Sequence, residues 1–285
     1  MQDCFTFADD FGPSKIIHVH EPSIGLRAIL VVDNVAKGPS IGGVRMAPDV
    51  SVEECVRLAR AMTFKNAAAG LPHGGGKAVV YGDPKMPKAD KERLIRGLAQ
   101  ALRYAEDYIF APDMGTDEEC MAWVKDEIGR VVALPREVGG IPLDESGATG
   151  FGLGHVADVA QTYAGVSLDG ARVVVQGFGA VGSHAARFLS ERGALLVGAA
   201  DSQGTMHNPG GLDVAALIEL KQSGRSVVDY ADGERLGCDA AVAIDCDVWI
   251  PAARPDVIRE DNQHRLKTRL LVEGANIAIT HGAER

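Results

Sequence analysis

Two lysines within one short stretch are the residues best suited to do chemistry. Lys65 falls at the predicted end of a helix and Lys77 enters a predicted strand, and a glycine loop over residues 74–76 separates them. Such a loop could bring both ammonium groups to one site. One could then hold a substrate carboxylate, while the other, desolvated beside a like charge, could act as a base near neutral pH.

Two simpler interpretations of this stretch are weaker. Ordinary surface lysines would be expected in solvated surroundings, but small residues occupy positions 67–70 and suggest an unsolvated site. A phosphate-binding P-loop does not fit, because Lys77 lacks a glycine six places earlier and is followed by Ala78 where that motif needs Ser or Thr. The pair is therefore predicted to bind and activate an organic substrate.

A second motif, VVVQGFGAVG, contains glycines at 177, 179 and 182 in a G-x-G-x-x-G pattern, after an apolar β-branched run and before residues at helical spacing. The first glycine makes a tight turn, the second admits a pyrophosphate to the backbone, and the third allows close packing of helix on strand. The following helix would then direct its N-terminus at the phosphates. We predict that this turn binds a dinucleotide through Gly177, Phe178, Gly179, Ala180, Val181 and Gly182; a merely glycine-rich turn is the alternative.

The next strand-like run, ALLVGAA, ends at Asp201, twenty-four positions after Gly177. A carboxylate near this position accepts hydrogen bonds from the adenosine ribose. It would repel a 2′-phosphate, and the sequence just behind it supplies no Arg or Lys, so NAD is the preferred cofactor. Ser202 and its backbone could still accommodate a phosphate, which leaves NADP possible.

Strand-like runs alternate with helical patterns along most of the chain, which predicts an α/β fold with parallel sheets flanked by helices. A capping box of Ser51 and Glu54 predicts a helix that ends near Lys65. Further elements are predicted as strands at 27–34, 77–81, 108–112 and 270–275 and as helices at 90–108 and 154–163.

The domain organisation follows from one irregular region. Residues 135–152 are rich in glycine and proline and show little periodicity, as in a connection between domains. We place the boundary near residue 142. The prediction is a substrate-binding and catalytic domain over 1–142 and a dinucleotide-binding Rossmann domain over 143–285.

Composition restricts the class of partner. The 29 basic and 39 acidic residues give a net charge of −10 and no basic run occurs, so nucleic acid and anionic membranes are not expected partners. No signal peptide or apolar stretch of membrane-spanning length is found, which predicts a soluble, cytoplasmic protein. The five cysteines are scattered without zinc-site spacing, so we expect reduced thiols and no metal.

The longer motifs carry a resemblance to a known family. GGVRM at 42–46, MTFKNAAAGLPHGGGK at 62–77, APDMGT at 111–116, SGATGFG at 146–152, CDVWIPAA at 246–253 and VEGAN at 272–276 occur in the chain together with the dinucleotide motif. Their order resembles that of the glutamate, leucine, phenylalanine and valine dehydrogenases, over nearly the whole chain. The resemblance implies a homo-oligomeric, nicotinamide-dependent amino-acid dehydrogenase.

The resemblance also implies roles for individual residues. Lys65 matches the lysine that binds the substrate α-carboxylate, and Lys77 matches the catalytic lysine that activates water. Asp113 matches the aspartate that moves protons to and from the substrate amine. Further matched positions line the substrate site at Gly42 and Gly43, lie near the nicotinamide at Thr149 and Asn276, and end a cofactor-facing strand at Ala252.

The implied reaction is hydride transfer from the substrate Cα to the nicotinamide, followed by hydrolysis of the resulting imine to a 2-oxo acid and ammonia. Glutamate-specific members have a lysine directly before the GG of GGVRM, and here that position is Ile41. A substrate carboxylate left unpaired in a closed site is costly. A branched-chain or other apolar amino acid is therefore expected, and glutamate is the alternative.

One departure from the family pattern concerns the end of the chain. Family members continue past VEGAN with a strand and closing helices, whereas this sequence stops at Arg285. We therefore expect a truncated sequence whose own activity is open. Two other functions were weighed: a nicotinamide enzyme acting on hydroxy acids, which would ordinarily need a His with a carboxylate or a metal, and a non-catalytic module that binds a nucleotide or amino acid.

Overall fold

The computed structural model describes residues 5–141 and 146–285. The chain divides into two compact units, Met1–Pro142 and Leu143–Arg285. Each unit has its own sheet and its own buried apolar core. The residue at which the sequence predicts the boundary, Pro142, lies outside the described residues, as does Cys4.

The first unit is built around a five-stranded sheet in the order β1-β2-β4-β3-β5. Its described strands and helices are β1 (Lys15–Glu21), β2 (Leu26–Asn34), β3 (Ser40–Ala47), α1 (Val52–Ala68), β4 (Gly74–Tyr81), α2 (Lys88–Ala101), β5 (Tyr108–Pro112) and α3 (Glu118–Ile128). Strands β3, β4 and β5 are parallel, whereas β1 and β2 pair antiparallel. The predicted parallel pairing is present in β3, β4 and β5. The consecutive strands β1 and β2 pair antiparallel because a short turn that reverses the chain joins them.

Helix α1 begins where its cap predicts. The Ser51 hydroxyl accepts a hydrogen bond from the Glu54 backbone N–H at 3.1 Å, which satisfies one of the free donors of the first turn. The helix continues to Ala68, three residues beyond the predicted end at Lys65. The Asn66 side chain donates to the Gly74 carbonyl at 2.7 Å, so the last turn of α1 is fixed to the start of β4.

The predicted glycine loop at 74–76 is wrong: these residues open strand β4. Their lack of a side chain serves close packing. A Cβ on Gly74 would lie 1.7 Å from the Asn34 carbonyl oxygen, and one on Gly75 would lie 2.1 Å from the Thr63 nitrogen of α1. Only glycine permits backbones to approach so closely, so the residues that suggest a loop form a strand pressed between its neighbours.

The predicted helix over 90–108 is also shorter than expected, because α2 ends at Ala101. The chain then turns, with the Ala105 N–H donating to the Leu102 carbonyl at 3.0 Å, and enters β5 at the fully buried Tyr108. Burial of Leu102 and Ala105 in the core explains why apolar spacing continued past the end of the helix.

The second unit is a six-stranded sheet in the order β11-β10-β6-β7-β8-β9. Its α-helices and strands are α4 (Ala148–Ala164), β6 (Arg172–Gln176), α5 (Ala180–Ser190), β7 (Leu195–Asp201), β8 (Gly204–His207), α6 (Val214–Gln222), β9 (Glu234–Leu236), β10 (Val248–Pro251), β11 (Leu270–Leu271) and α7 (His281–Glu284). Strands β11, β10, β6 and β7 are parallel, and β8 and β9 pair antiparallel. From β6 the chain adds β7, β8 and β9 on one side of the sheet, and it then adds β10 and β11 on the other side of β6. The order of the strands therefore reverses between β6 and β10.

Helix α4 begins six residues before the predicted start at Gly154, and β11 is much shorter than the predicted strand. In the described part of the chain, no helix is long and apolar enough to cross a membrane. The four cysteines within it, Cys55, Cys120, Cys238 and Cys246, are free thiols.

Candidate active site

The parallel strands of the first unit bring the predicted chemical residues to one face of the sheet. Ile41 pairs with Gly75 and Val44 with Ala78, so Gly43 lies level with Lys77; Gly43 also pairs with Ala111. Because side chains alternate between the two faces, residues 41, 43 and 45 share a face with Lys77. Asp113 follows on that side where the chain leaves β5.

Lys77 and Asp113 form an ion pair, with the ammonium in contact with Oδ2 of the carboxylate. Lys77 is 2% exposed and the Asp113 side chain is 16% exposed. The sequence analysis expected a second ammonium beside Lys77, whereas the charge in contact with it is a carboxylate. A buried ammonium needs an opposite charge to offset its lost hydration, which explains why the pairing takes this form.

A second cation completes the cluster. Arg45 is 4% exposed, and its Nε donates to Oδ2 of Asp113 at 3.1 Å while Nη1 donates to Oε1 of Glu54 at 2.5 Å. Two cations and two carboxylates therefore balance at this face. Arg45 was not predicted as a site residue, and Glu54 was predicted only as part of the capping box of α1. The alternation of GGVRM along a strand would have placed Arg45 on the face of Gly43.

Burial alone would raise the pKa of Asp113, but the positive charges of Lys77 and Arg45 outweigh it, and the pKa lies below its ordinary value. Asp113 is therefore ionised across the neutral range. An ionised carboxylate beside a buried ammonium can accept a proton from a bound amine or return one to it.

Gly42 and Gly43 supply backbone rather than side chains to this face. A Cβ on Gly43 would lie 2.6 Å from Cβ of Asp113, so any side chain there would displace the carboxylate. From the opposite face, the buried Tyr108 hydroxyl donates to the Gly42 carbonyl at 2.6 Å. The two peptide groups are thus held rigidly beside Asp113.

The APDMGT segment is anchored by Thr116. The Asp113 backbone N–H donates to Oγ1 of Thr116 at 3.0 Å, and that hydroxyl donates to the Val44 carbonyl at 2.7 Å. Gly115 has a φ of 85° and lies against the Met46 carbonyl, where a Cβ would come within 2.1 Å. The turn after β5 therefore has a single tight conformation, which fixes the backbone of Asp113.

Lys65 differs from Lys77 in its surroundings. It lies in the last turn of α1 and is exposed, as are residues 67–70. The inference that small neighbours exclude solvent is therefore wrong at Lys65, because these residues end a surface helix. Thr63 and Asn66 on either side of it contact the start of β4, so the backbone that carries Lys65 is fixed to the strand that carries Lys77.

Ile41 lies on β3 two positions before Gly43, on the same face, and is partly buried. Its side chain is apolar, so this position contributes no charge to the face that holds Lys77 and Asp113. Any substrate group that reached Ile41 would meet hydrocarbon.

In the second unit, the three fingerprint glycines have three different environments. Gly177 has a φ of 99°, and a Cβ on Gly182 would lie 1.9 Å from the Gly177 carbonyl oxygen. A Cβ on Gly179, by contrast, would meet nothing within 4 Å. The turn is therefore tight at its ends and open at Gly179, which caps the N-terminus of α5. This is the geometry that admits a pyrophosphate to backbone N–H groups at a helix N-terminus.

A cavity of about 620 Å³ adjoins this turn at the carboxyl ends of β6 and β7. It lies where the strand order reverses, the position at which open α/β sheets bind their ligands. Its lining includes Gln176, Gly177, Phe178, Gly179, Asp201, Ser202, Lys221, Cys238, Asp239, Ala252, Ala253 and Arg254. Ala180, Val181 and Gly182 follow in the first turn of α5.

The remaining predicted cofactor residues occupy three separate places. Ala252 directly follows β10, and its N–H donates to the Gln176 carbonyl at 2.7 Å. Asn276 follows Ala275, whose N–H donates to the Pro251 carbonyl at 2.7 Å, so the VEGAN segment folds over the end of β10. Thr149 lies in the first turn of α4 and is exposed.

Asp201 is already engaged by groups of its own unit. Its carboxylate accepts hydrogen bonds from the Ser226 hydroxyl at 2.8 Å, the Val227 N–H at 3.0 Å and the Lys221 ammonium at 2.8 Å. Burial acts to raise the pKa of Asp201, but Lys221 and the other donors lower it below the ordinary value. The sequence just behind Asp201 supplies no cation, whereas the fold supplies one from twenty residues away.

Together, a glycine turn at the reversal of a parallel sheet and a buried ammonium–carboxylate pair on a second sheet define a two-unit α/β protein with a dinucleotide-type fold. Models of known protein families give a more specific assignment. Residues 139–285 match the glutamate/leucine/phenylalanine/valine dehydrogenase model, and residues 13–130 match the model of that family's dimerisation domain. The chain belongs to the glutamate/leucine/phenylalanine/valine dehydrogenase family.

Curated relatives include dehydrogenases for both nicotinamide cofactors. The NADP-specific glutamate dehydrogenase of Saccharolobus shibatae is 37% identical over 265 residues, which are 88% of this chain and 62% of that protein. The NAD-specific glutamate dehydrogenase of Staphylococcus aureus is 36% identical over 264 residues, 88% of this chain and 64% of that protein. The chain thus spans less than two thirds of the length of these relatives.

A solved structure gives the same result for the fold. The hetero-hexameric glutamate dehydrogenase of Thermus thermophilus, in a leucine-bound form, superimposes with a TM-score of 0.83 at 30% identity. The match covers 95% of this chain and 69% of that one. The predicted fold class, an α/β chain with a Rossmann-type second half, is confirmed.

Proposed function

We propose that this protein carries out the nicotinamide-dependent oxidative deamination of an L-amino acid, giving the 2-oxo acid and ammonia. The observation that carries the proposal is the buried pair of Lys77 and Asp113 beside Gly43, which has no side chain to displace the carboxylate. Membership of the family adds that its named members are amino-acid dehydrogenases. The first unit is proposed as the substrate-binding and catalytic domain and the second as the cofactor-binding domain.

The proposed roles follow from charge and burial. Lys65, an exposed ammonium at a fixed helix end, binds the substrate α-carboxylate as a point charge. The peptide groups of Gly42 and Gly43 orient the amino group. Asp113 takes a proton from the substrate amine, and Lys77 positions and activates the water that attacks the imine carbon. Asp113 then returns a proton to the departing nitrogen.

A nicotinamide dinucleotide, when bound, supplies the acceptor for the hydride that leaves the substrate Cα. The residues proposed to hold it are the glycine turn 177–182 for the pyrophosphate, Asp201 and Ser202 for the adenosine ribose, and Thr149, Ala252 and Asn276 for the nicotinamide end. NAD is the proposed cofactor, and Lys221 beside Asp201 supports use of NADP as well, because it offsets the charge that would repel a 2′-phosphate.

The proposed substrate is a branched-chain or other apolar amino acid. Ile41 is on the face of Lys77 and Asp113 and offers no charge to a substrate side-chain carboxylate. Glutamate is the second candidate, because the named relatives are glutamate dehydrogenases. The protein is proposed to act as a cytoplasmic homo-oligomer, in agreement with the dimerisation-domain match at residues 13–130.

The test is a spectrophotometric assay of NADH formation with a panel of L-amino acids, and of NADH consumption with 2-oxo acids plus ammonium. Turnover of leucine or valine above that of glutamate is expected. Binding of NAD without turnover of any amino acid, by this chain and by any longer natural form of it, would refute the dehydrogenase proposal and leave a nucleotide-binding module.

The substrate preference has its own test. Replacing Ile41 with lysine supplies a cation to a substrate side-chain carboxylate, and one well-placed charged hydrogen bond contributes about 1.5–3 kcal/mol. The ratio of kcat/KM for glutamate over leucine should therefore rise by about 10- to 100-fold. An Ile41→Met variant, which keeps the apolar character, is the matched control. A wild-type preference for glutamate would refute the apolar-substrate proposal.

A further inference from the structure

Arg45 is the buried charge at the active-site face to which the proposed reaction gives no task. It extends from β3 on the side of Lys77 and Asp113 and is almost completely buried. Desolvating a guanidinium is costly unless its hydrogen bonds are satisfied. The groups that accept hydrogen bonds from Arg45 must therefore account for its burial.

The two cations that contact Asp113 bind the same oxygen. Lys77 Nζ and Arg45 Nε both reach Oδ2. The Met114 backbone N–H also lies close enough to the carboxylate to lower its pKa. The two side-chain cations thus hold Oδ2, and neither of these contacts involves Oδ1.

The other end of Arg45 is held by α1. Its Nη1 donates to Oε1 of Glu54, and Glu54 lies in the first turn of α1, which Ser51 caps. Arg45 therefore links the start of α1 to Asp113 at the end of β5. A planar guanidinium with both ends bonded has little rotational freedom, so it fixes the carboxylate more rigidly than a single lysine contact would.

We infer that Arg45 is a positioning residue for the proposed deamination: it holds Oδ2 of Asp113 so that Oδ1 remains free to exchange the proton of the substrate amine. In the forward direction, Oδ1 accepts a proton from the substrate ammonium, and the amine lone pair becomes available to form the imine as hydride leaves. Oδ1 later returns that proton to the nitrogen that departs as ammonia. This inference rests on the proposed function.

The other titratable groups around Asp113 are identifiable. Glu54 and Cys55 face the cluster from α1 and Lys77 from β4, while Tyr108 of β5 lies on the opposite face of the sheet. Burial raises the pKa of the Cys55 thiol to about 12 and that of the Tyr108 hydroxyl well above its usual range. Both are therefore neutral at acid and neutral pH, and Asp113 is the acid whose pKa the neighbouring cations hold below its ordinary value.

The experiment compares Arg45→Met with wild type in the pH dependence of kcat/KM and in kcat. Loss of the guanidinium removes a positive charge that favours ionised Asp113, so the acid limb of the profile should move to higher pH. Misplacement of the proton-accepting oxygen should lower kcat by about 10- to 100-fold. Arg45→Lys, which keeps the charge without the planar link, should restore most of the limb position but not kcat.

Two controls address folding and assignment. The double variant Arg45→Met with Glu54→Gln removes both charges, so no unpaired Glu54 carboxylate remains. If Arg45→Met alone does not fold, the acid limb and kcat are measured on this double variant instead. Arg60→Met breaks a comparable arginine link, from α1 to Asp33 at 2.9 Å, and should not move the limb.

A readout without turnover keeps the inference separate from the proposed function. The ¹³C signal of the Asp113 carboxyl, assigned with Asp113→Asn, should titrate at higher pH in the folded Arg45 variant than in wild type. An unchanged titration and an unchanged acid limb in that variant would overturn the inference. If wild type deaminates no amino acid, the proposed function fails, while the carboxyl titration still decides whether Arg45 controls Asp113.

Discussion

The two units form their sites in different ways. In the first unit, four buried or half-buried charges are paired on one sheet face, and the chemistry belongs to side chains: Lys77, Asp113, Arg45 and Glu54. In the second unit, a turn of glycines presents backbone N–H groups beside a cavity of about 620 Å³. Side-chain substitutions should therefore disable the first site, whereas added side chains should disable the second.

This difference has an energetic cause. A buried charge must find a partner, so each member of the cluster depends on the others and its loss affects both stability and chemistry. Backbone donors at a helix N-terminus need no partner until an anion arrives. The charged residues of the first site therefore depend on one another. In the second site, a single added methyl group can occupy the space that the glycine turn leaves for a ligand.

The largest effect is expected from Lys77→Ala. Loss of the acid–base group should lower kcat by about 10²- to 10⁴-fold, while the affinity for NAD, measured by fluorescence titration, should change by less than about 2-fold because no contact of the second unit is altered. Lys88→Ala is the matched control, since Lys88 makes an exposed ion pair with Glu119 and should leave kcat unchanged. Equal losses of turnover and NAD affinity would contradict the separation of the two sites.

An intermediate effect is expected from added methyl groups in the glycine turn. Gly179→Ala places its Cβ in open space, so the protein should fold normally but bind NAD at least about 10-fold more weakly, equivalent to about 1.4 kcal/mol. Gly182→Ala places its Cβ 1.9 Å from the Gly177 carbonyl oxygen and should lower the free energy of unfolding by about 1–3 kcal/mol. Calorimetry on both variants checks the contrast. Normal NAD binding by Gly179→Ala would contradict the assigned pyrophosphate position.

The smallest effect is expected from Lys221→Ala, which tests the ion pair of Lys221 and Asp201 beside the second site. Removing this cation from Asp201 should weaken binding of 2′,5′-ADP by about 10-fold, because a charged hydrogen bond contributes about 1.5–3 kcal/mol, and should change binding of 5′-AMP much less. Isothermal titration with the two nucleotides measures both. Arg225→Ala, which removes a neighbouring exposed cation that faces Asp229, is the control. Equal changes for both nucleotides would exclude a role in selecting NADP.

The second unit was easier to predict from sequence than the first. The glycines, the strand before them and the helix after them are all local, so the pattern at 177–182 predicted the turn that the structure contains. Lys221 could not be predicted, because its contact with Asp201 depends on how α6 packs against the sheet. The separation of Lys221 and Asp201 along the chain does not indicate that their side chains meet.

The strands and helices of the first unit were predicted better than the surroundings of its charged residues. The start of α1 and the strand at β5 were correct, and the motifs contained Lys77 and Asp113. The loop assigned to residues 74–76 was wrong, because glycine in a sequence does not distinguish a turn from a strand that is pressed by its neighbours. The partner of Lys77 was also expected to be an ammonium.

The sequence by itself determined the family, the alternation of strands and helices, and the glycine turn. Each of these features depends on residues that are adjacent in the chain, so its geometry is local. The tertiary structure alone decided which charges meet: Arg45 and Lys77 come from two strands, Asp113 directly follows a third, and Glu54 comes from a helix. Electrostatic pairing depends on distances of a few ångströms between segments that are far apart in the chain. Only the register of the parallel strands sets those distances.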